Sequence, residues 1–310
     1  MLQPGSLHQY SGKGSGYAIR QSSPAVFEIR TVGICGAGLM GNGVAQTCAS
    51  AGFKVVLMEI AQAPLSRGMS AIGKSLDKFV EKQKLTAAER DATMARINAT
   101  TDVSDLKDCD LVIEAIVENV AAKAELFAGL DALVGPETIF CTNTSSLCVI
   151  ELAAKTSRPN RFAGLHFFNP VPLMKLVEVV RTIATSQEVI AVLFAFARKL
   201  GKEPILAQDT PGFIVNRLLV PYLLYAIRMY EEGLASKEDI DKGMKLGCGY
   251  PMGPLELLDF VGLDTTYYIA QIMFDEFKDP MMAPPTLLKR MVLAGHHGRK
   301  SGKGFYDYAG

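Results

Sequence analysis

Net charge, long apolar runs and metal-binding clusters are all missing from this 310-residue sequence, and histidine occurs only four times. Lysine plus arginine and aspartate plus glutamate number 32 each, whereas proteins that bind duplex nucleic acid usually carry a basic excess. A short basic run at positions 298–303 does not outweigh this balance. No nucleic-acid partner is therefore expected.

The apolar runs and cysteine pairs that mark membrane or metal proteins are also absent. The longest apolar candidates, 189–197 and 218–227, fall short of the roughly 18 residues that span a bilayer. Pro221 also interrupts the second candidate. The six cysteines form no CxxC pair and no Cys/His cluster with zinc-ligand spacing. We therefore expect no membrane span and no metal, and we interpret the cysteines as small buried side chains in a reducing compartment.

Residues 1–27 differ in composition from the rest of the chain. They contain no acidic residue, five serines and four glycines. A mitochondrial transit peptide is serine-rich and poor in acidic residues, and a disordered extension can have the same composition. Both interpretations stay open, with the mitochondrial matrix as the expected location and the cytoplasm as the alternative.

From residue 28 the pattern alternates between strands and helices. Strands are predicted at 29–35, 54–59, 110–115, 138–142, 162–168, 175–180 and 204–207. Helices are predicted at 39–50, 63–84, 87–96, 120–133 and 187–200. This alternation is typical of an α/β fold, a doubly wound, Rossmann-like and mostly parallel sheet with helices on both faces. The short, proline-containing link after residue 168 favours antiparallel pairing of the strands on either side.

After residue 209 only helical patterns follow. Thr210 is predicted to cap a helix that has Pro211 at its first position and ends near Glu232. Further helices are predicted at 237–246, 255–260, 265–277 and 285–294. We therefore expect a Rossmann-like domain at 28–206 and a helical C-terminal domain at 207–310.

A glycine-rich loop joins the first strand to the first helix. Gly36 permits the tight turn, Gly38 lets the backbone approach a pyrophosphate, and Gly41 lets helix and strand pack closely. The N–H groups of the helix N-terminus then face the phosphates. Glu59 ends the next strand, where a carboxylate can bind ribose hydroxyls and repel a 2′-phosphate. The loop predicts a dinucleotide site that prefers NAD to NADP.

Two polar side chains in adjacent apolar strands predict an acid/base pair. His166 ends one strand, and Glu178 lies within the next, where an unpaired carboxylate would be costly to bury. If the two strands are antiparallel neighbours, the glutamate can orient the imidazole and stabilise its protonated form. From the residues alone, a purely structural histidine stays an alternative.

Ser145 and Asn216 are two further candidates. Ser145 follows a strand at the edge where open α/β sheets bind ligands, although it could instead cap a helix. Asn216 has no helix-propensity reason for its place among apolar residues, so it is expected to bond a substrate, the backbone or a neighbouring helix.

These segments resemble the 3-hydroxyacyl-CoA dehydrogenases of fatty-acid β-oxidation. The resemblance runs from residue 29 to residue 308 and is most specific at 36–41, 114–119, 142–147, 161–178, 209–219 and 249–253. It implies a homodimer formed by the helical domain, with the active site in the cleft between the domains. Glu59 is a mild departure, since aspartate is common there in the family.

The resemblance also implies roles for individual residues. His166 would be the general acid/base, Glu178 its partner, and Asn216 and Ser145 would position the thioester and the reacting oxygen. Ser75 and Lys82 would contact CoA, and their seven-residue spacing puts them on one helix face, although a solvated basic face explains them equally well. The cofactor-binding residues would be Gly36, Gly38, Leu39, Met40, Gly41, Glu59, Ala115, Glu118, Lys123, Asn143, Ser145 and Asn169.

The expected reaction is NAD-dependent oxidation of (S)-3-hydroxyacyl-CoA to 3-oxoacyl-CoA. One alternative is an NADPH-linked 3-hydroxybutyryl-CoA dehydrogenase, against which Glu59 argues. Another is a catalytically weak, crystallin-like NAD-binding protein, against which the complete set of four candidate catalytic residues argues.

Overall fold

The computed structural model describes residues 27–308, so the N-terminal segment considered for targeting lies almost wholly outside the described residues. The strands are β1 Thr31–Cys35, β2 Lys54–Met58, β3 Ile97–Thr100, β4 Leu111–Glu114, β5 Ile139–Thr142, β6 Phe162–Phe167, β7 Leu176–Arg181 and β8 Glu203–Gln208. They form one eight-stranded sheet in the order β3-β2-β1-β4-β5-β6-β7-β8.

The sheet is mostly parallel, as the alternating pattern predicts. Every neighbouring pair from β3 to β6 is parallel, and β7 pairs with β8 in the same way. Only β6 and β7 are antiparallel. The prediction from the short proline-containing link is thus confirmed, because a link this short cannot carry the chain back for a parallel crossover.

Helices cover both faces of the sheet. They are α1 Leu39–Ser50, α2 Gln62–Glu81, α3 Ala87–Ala95, α4 Val120–Leu133, α5 Val149–Ala153 and α6 Gln187–Lys199. One core cluster lies between the sheet and α1, α2 and α6, and a second lies between the sheet and α4 and α5. Burial on both faces explains why the central strands are continuous apolar runs.

The C-terminal part is helical, with its own apolar core. It contains α7 Val215–Glu231, α8 Lys237–Cys248, α9 Pro254–Val261, α10 Leu263–Phe277 and α11 Thr286–Leu293. The last described residues fold back onto α9, where Asp259 accepts the N–H groups of Phe305 and Tyr306, both at 2.8 Å. Between residues 27 and 308, no helix has the length and apolarity needed to cross a membrane. The Rossmann-like fold followed by helices is confirmed.

The prediction for the start of α7 is wrong. The helix begins at Val215, and neither Thr210 nor Pro211 belongs to it. Gly212 and Phe213 have φ angles of +82° and +46°, which no right-handed helix contains. The chain therefore makes a turn here before the helix begins.

Two short elements and two cysteines also depart from the predictions. The sequence patterns missed β3 and α5, which have four and five residues and so show almost no periodicity. The interpretation of all cysteines as buried is wrong for Cys248, which is exposed, and only half right for Cys148, which is half-buried. The other four are buried, and all six are free thiols.

Candidate functional site

The glycine-rich loop is as tight as its sequence predicts. Gly36 has a φ of +102°, and a Cβ there would lie 2.7 Å from the carbonyl oxygen of Ala115. A Cβ at Gly41 would lie 1.8 Å from the carbonyl oxygen of Gly36, so helix and strand pack without room for a side chain. A Cβ at Gly38 would meet nothing within 4 Å, which leaves open space in front of the N-terminus of α1. This open space is where a pyrophosphate can approach the backbone.

A cavity of about 920 Å³ adjoins this loop. Its lining includes six of the predicted cofactor residues, namely Gly36, Gly38, Leu39, Met40, Glu59 and Ala115. Glu59 Oε2 accepts the Ala37 N–H at 2.9 Å, and its Oε1 accepts the Ile60 N–H at 2.8 Å. The lining carries Glu59 and Glu125 but, among residues 27–308, no lysine or arginine. The cavity can receive the part of a dinucleotide that adjoins the glycine-rich loop, and its lining offers no cation to a 2′-phosphate.

His166 and Glu178 face each other across the antiparallel strands. They are register partners on β6 and β7, and His166 Nδ1 lies 2.7 Å from Glu178 Oε2. The Glu178 carboxylate is fully buried, and its other oxygen, Oε1, accepts the N–H groups of Ile214 and Val215, both at 3.0 Å. These three partners offset the cost of burying the carboxylate. The arrangement leaves Nε2 of the imidazole as the nitrogen available for chemistry.

Ser145 and Asn216 lie on the other side of the imidazole. The hydroxyl of Ser145 is 3.2 Å from His166 Nε2. Asn216 Nδ2 donates to the backbone carbonyl of Ser145 at 3.4 Å, so the N-terminus of α7 contacts the loop after β5. The rings of Phe168 and Phe213 have their centroids 4.5 and 5.5 Å from that of the imidazole. Aromatic packing and hydrogen bonds together fix the orientation of the ring.

A second polar network lies at the ends of β4 and β5. Lys123, which is only 1% exposed, reaches Glu114 Oε1 at 2.5 Å and Glu118 Oε2 at 3.2 Å. Glu118 Oε1 accepts the backbone N–H of Ser145 at 3.1 Å and the hydroxyl of Thr144. This network therefore holds the Ser145 loop from the side of the glycine-rich loop.

Two predicted cofactor residues differ in how firmly they are held. Asn143 is buried, and its Oδ1 accepts the Phe167 N–H at 2.9 Å, which ties the end of β5 to β6. Asn169 is exposed on the link after β6, and its side chain makes no hydrogen bond within the described residues. The structure thus brings Asn143 into the site's hydrogen-bond network and leaves Asn169 at its edge.

Ser75 and Lys82 line one small cavity of about 160 Å³. Lys78 and Lys84 line the same cavity, and Pro170, from the link after β6, closes its other side. Lys82 follows the last residue of α2, and no carboxylate is within salt-bridge distance of its ammonium in the described part of the chain. The cavity is therefore a basic recess between the C-terminal end of α2 and the link that follows the His166 strand.

Five residues at the site were not singled out from the sequence: Glu114, Thr144, Phe168, Asp209 and Phe213. Of these, Asp209 accepts the backbone N–H groups of Val149 and Ile150, just after the Ser145 loop. Glu114 is a buried carboxylate in an apolar strand, and the argument that identified Glu178 would have identified it too. Phe213 gave no such signal, because the sequence pattern predicted a helix at its position, whereas α7 begins only at Val215. Asp209 directly precedes that predicted helix and gave no signal either. Between residues 27 and 308, no group of three or more histidine, cysteine, aspartate or glutamate side chains is arranged to hold a metal ion.

Comparison with known proteins agrees with this geometry. Residues 31–210 match the family model described as the NAD binding domain of 3-hydroxyacyl-CoA dehydrogenase, and residues 212–308 match the model of its C-terminal domain. A 3-hydroxybutyryl-CoA dehydrogenase of Mycobacterium tuberculosis is 50% identical over 282 residues, which cover 90% of this chain and 99% of the relative. The mitochondrial hydroxyacyl-coenzyme A dehydrogenase of Homo sapiens is 49% identical over 287 residues, which cover 90% and 91%.

Solved structures give the same result. The crystal structure of (S)-3-hydroxybutyryl-CoA dehydrogenase PaaH1 from Ralstonia eutropha is 47% identical and covers 91% of this chain and 100% of its own, with a TM-score of 0.88. The crystal structure of FadB2 from M. tuberculosis has a TM-score of 0.89 at 50% identity, and the match covers 91% of this chain and 99% of that one. The chain therefore belongs to the 3-hydroxyacyl-CoA dehydrogenase family of oxidoreductases and contains both the NAD-binding domain and the C-terminal domain of that family.

Proposed function

We propose that this enzyme oxidises (S)-3-hydroxyacyl-CoA to 3-oxoacyl-CoA in fatty-acid β-oxidation, with NAD as the electron acceptor. The observation that carries the proposal is the hydrogen-bonded series Glu178–His166–Ser145, with distances of 2.7 and 3.2 Å. The stereochemistry and the pathway follow from the family resemblance. The boundary predicted at residue 207 falls inside β8, which ends at Gln208, so we propose that the NAD-binding and helical domains divide in the segment between β8 and α7.

His166 acts as the general base in oxidation and as the general acid in reduction. Bound NAD supplies the hydride acceptor. Nδ1 is engaged by Glu178, so Nε2 takes the hydroxyl proton, and the carboxylate stabilises the charge that the ring then carries. Ser145, whose hydroxyl lies 3.2 Å from Nε2, marks the position of the reacting oxygen. Asn216 and Ser145 orient the thioester there.

The cofactor lies along the carboxyl ends of the central strands in this proposal. The open space at Gly38 receives the pyrophosphate, and the other loop residues, Leu39, Met40 and Gly41, form the start of the helix behind it. The network around Lys123 and Glu118, together with Asn143, Ser145 and Asn169, borders the nicotinamide. Ala115 bounds the cavity between these two ends.

NAD is the preferred cofactor over NADP in this proposal. Glu59 lies at the end of β2 in a cavity that another carboxylate, Glu125, also lines. A 2′-phosphate placed near Glu59 would face a like charge without a compensating cation, which is unfavourable in a partly desolvated site. The competing activity is an NADPH-linked 3-hydroxybutyryl-CoA dehydrogenase.

CoA binds at the basic recess that Ser75 and Lys82 line. Its lysines offer ammonium groups to phosphates, and its wall at Pro170 continues into the link that leaves the His166 strand. A phosphate held there and a thioester held at Ser145 would lie at opposite ends of one extended ligand.

We further propose a homodimer through the helical domain, and the mitochondrial matrix as the location. Five large apolar side chains of that domain are more than 60% exposed: Leu218, Leu234, Leu246, Tyr268 and Leu293. The location rests on the acid-poor N-terminal segment and on mitochondrial relatives. Bacterial relatives are equally similar, so the cytoplasm is the alternative, and fractionation of cells that express the full chain distinguishes the two.

Replacing His166 by glutamine is expected to lower kcat for NADH-dependent reduction of 3-oxoacyl-CoA by about 10²- to 10⁴-fold, the usual contribution of a positioned acid/base. The Kd for NADH should not change. His296→Gln, a histidine after α11, is the matched control and should keep wild-type kcat. Near-normal turnover by His166→Gln would contradict the assignment, and a wild-type protein that binds NADH without turnover would favour the crystallin-like alternative.

Glu59→Gln is expected to raise the ratio of kcat/KM with NADPH to kcat/KM with NADH by about tenfold, since loss of about 1.4 kcal/mol of repulsion corresponds to that factor. Glu125→Gln, which neutralises the other carboxylate of the cavity, should shift the ratio much less. Steady-state rates with both cofactors measure the effect. A wild-type preference for NADPH would overturn the cofactor proposal.

Lys82→Ala is expected to raise the KM for acyl-CoA by about tenfold, because a hydrogen bond to a charged group contributes about 1.5–3 kcal/mol. The KM for NADH should stay the same. With an acyl-pantetheine substrate, which lacks the phosphates, the variant and the wild type should have equal KM values. Lys74→Ala, a lysine of α2 that does not line the recess, is the control. If Lys82→Ala raised the KM equally for acyl-CoA and for acyl-pantetheine, the assignment of Lys82 to the CoA site would be wrong.

The dimer proposal predicts a single dimeric species at micromolar concentration in sedimentation velocity. Leu246→Glu, which replaces one of these exposed apolar side chains by a charged one, is expected to shift the protein toward monomer. Ile183→Glu is the control, because that side chain is 98% exposed but belongs to the NAD-binding domain. A monomeric wild type contradicts the proposal.

A further inference from the structure

Residues 209–214, called the linker below, join β8 to α7 and pass beside the imidazole of His166. At its C-terminal end the linker is fastened by Glu178, whose Oε1 accepts the N–H groups of Ile214 and Val215, both at 3.0 Å. These are the first free N–H groups of α7, so the partner of the catalytic histidine also fixes where this helix begins.

At its N-terminal end the linker accepts hydrogen bonds, whereas at its C-terminal end it donates them. Asp209 Oδ1 accepts the N–H of Val149, and its Oδ2 accepts the N–H of Ile150, both at 2.7 Å. These N–H groups form the first turn of α5, and Cys148, at the N-cap of α5, provides no side-chain cap hydrogen bond. Ser145 lies only three residues before Cys148. Asp209 therefore holds the end of the loop that carries Ser145.

Between these two sets of hydrogen bonds, the backbone conformation of the linker is restricted. Gly212 and Phe213 both have positive φ, which costs a bulky residue such as Phe213 free energy unless its surroundings impose it. The ring of Phe213 is only 4% exposed, and it packs in the same core cluster as Val149 and beside the ring of His166. A displacement of Asp209 would therefore be transmitted to both sides of the site.

The charge of Asp209 matters for this role. Burial raises the pKa of the Asp209 carboxyl, and the negative charge of Glu276 acts in the same direction, whereas the two N–H bonds favour the anion. A carboxylate can accept both N–H groups, one at each oxygen. An asparagine has one acceptor oxygen, and its NH₂ group would face the second N–H. Asp209→Asn therefore removes one of the two hydrogen bonds to the first turn of α5, with almost no change in the size of the side chain.

We propose that Asp209 is a positioning residue for catalysis: it holds the Ser145 loop against α7 so that Ser145 and Asn216 meet at His166. The inference rests on the proposed function. The contacts that depend on it are the 3.2 Å distance from Ser145 Oγ to His166 Nε2 and the 3.4 Å bond from Asn216 Nδ2 to the Ser145 carbonyl. The first contact joins the Ser145 loop to His166 in the sheet, and the second joins the same loop to Asn216 in α7. Asp209 lies in the linker that leads from the sheet to α7.

The test compares Asp209→Asn with Asp241→Asn. Asp241 makes the same kind of bond at another helix, where it accepts the N–H groups of Leu255 and Glu256 at 2.7 and 3.0 Å in the first turn of α9. Both variants are expected to have a lower Tm than the wild type. Only Asp209→Asn should lower kcat/KM for the acyl-CoA substrate, by about 10- to 100-fold, since a shift of about 1 Å at a reacting group has that effect.

The Kd for NADH should change much less than kcat/KM in Asp209→Asn, because neither aspartate contacts the glycine-rich loop or Glu59. If Asp209 acts through Ser145, the loss caused by Asp209→Asn should shrink in a Ser145→Ala background. If the two substitutions lower kcat/KM by independent factors, so that the double variant shows their product, Asp209 does not act through Ser145. Asp209→Asn with the kinetic constants of Asp241→Asn would overturn the proposal.

Amide hydrogen exchange tests the positioning without turnover. In Asp209→Asn, the amides of residues 146–150 and 214–216 should exchange faster than in the wild type, and in Asp241→Asn they should not. Unchanged exchange in these segments would overturn the proposal. A wild type without turnover would instead reject the proposed function, and the exchange data would then decide the role of Asp209 by themselves.

Discussion

The buried carboxylate of Glu178 is the interaction on which the rest of the site depends. A fully buried carboxylate costs several kcal/mol of free energy unless donors surround it. Here one oxygen faces the imidazole of His166, and the other accepts two backbone N–H groups at the start of α7. The same side chain thus orients the imidazole of His166 and joins the sheet to the helical part, so a change at Glu178 alters both the imidazole and the start of α7.

The antiparallel strand pair makes this arrangement possible. In a parallel sheet, residues at the carboxyl ends of all strands gather at one edge, where the glycine-rich loop and the Ser145 loop lie. Reversing β7 brings Glu178 back to that edge directly opposite His166. Three carboxylates then hold separate backbone segments: Glu118 binds the Ser145 loop, Glu178 the start of α7, and Asp209 the start of α5. His166 lies in a strand and Asn216 in a helix, whereas Ser145 lies on a loop, and charged acceptors hold this loop at both of its ends.

The elements that sequence patterns predicted well are those with strong periodicity or strong local chemistry. The alternating strands and helices, the glycine-rich loop and the antiparallel link after β6 all follow from local composition. The pairing of His166 with Glu178 could be inferred because a lone carboxylate in an apolar strand needs a partner. The turn at residues 209–214 could not be inferred, since Thr210 and Pro211 resemble a helix start while the positive φ of Phe213 is imposed by its packing.

The sequence by itself determined the fold class, the glycine-rich loop and the pairing of His166 with Glu178, because these depend on short-range spacing and on the cost of burying charge. Only the tertiary structure decided which nitrogen of His166 is free, which groups hold the Ser145 loop, and where α7 begins. These features depend on contacts between residues that lie far apart in the chain, such as Glu178 with Val215 and Asp209 with Ile150. Such contacts leave no periodic pattern, so they become visible only when the chain has folded.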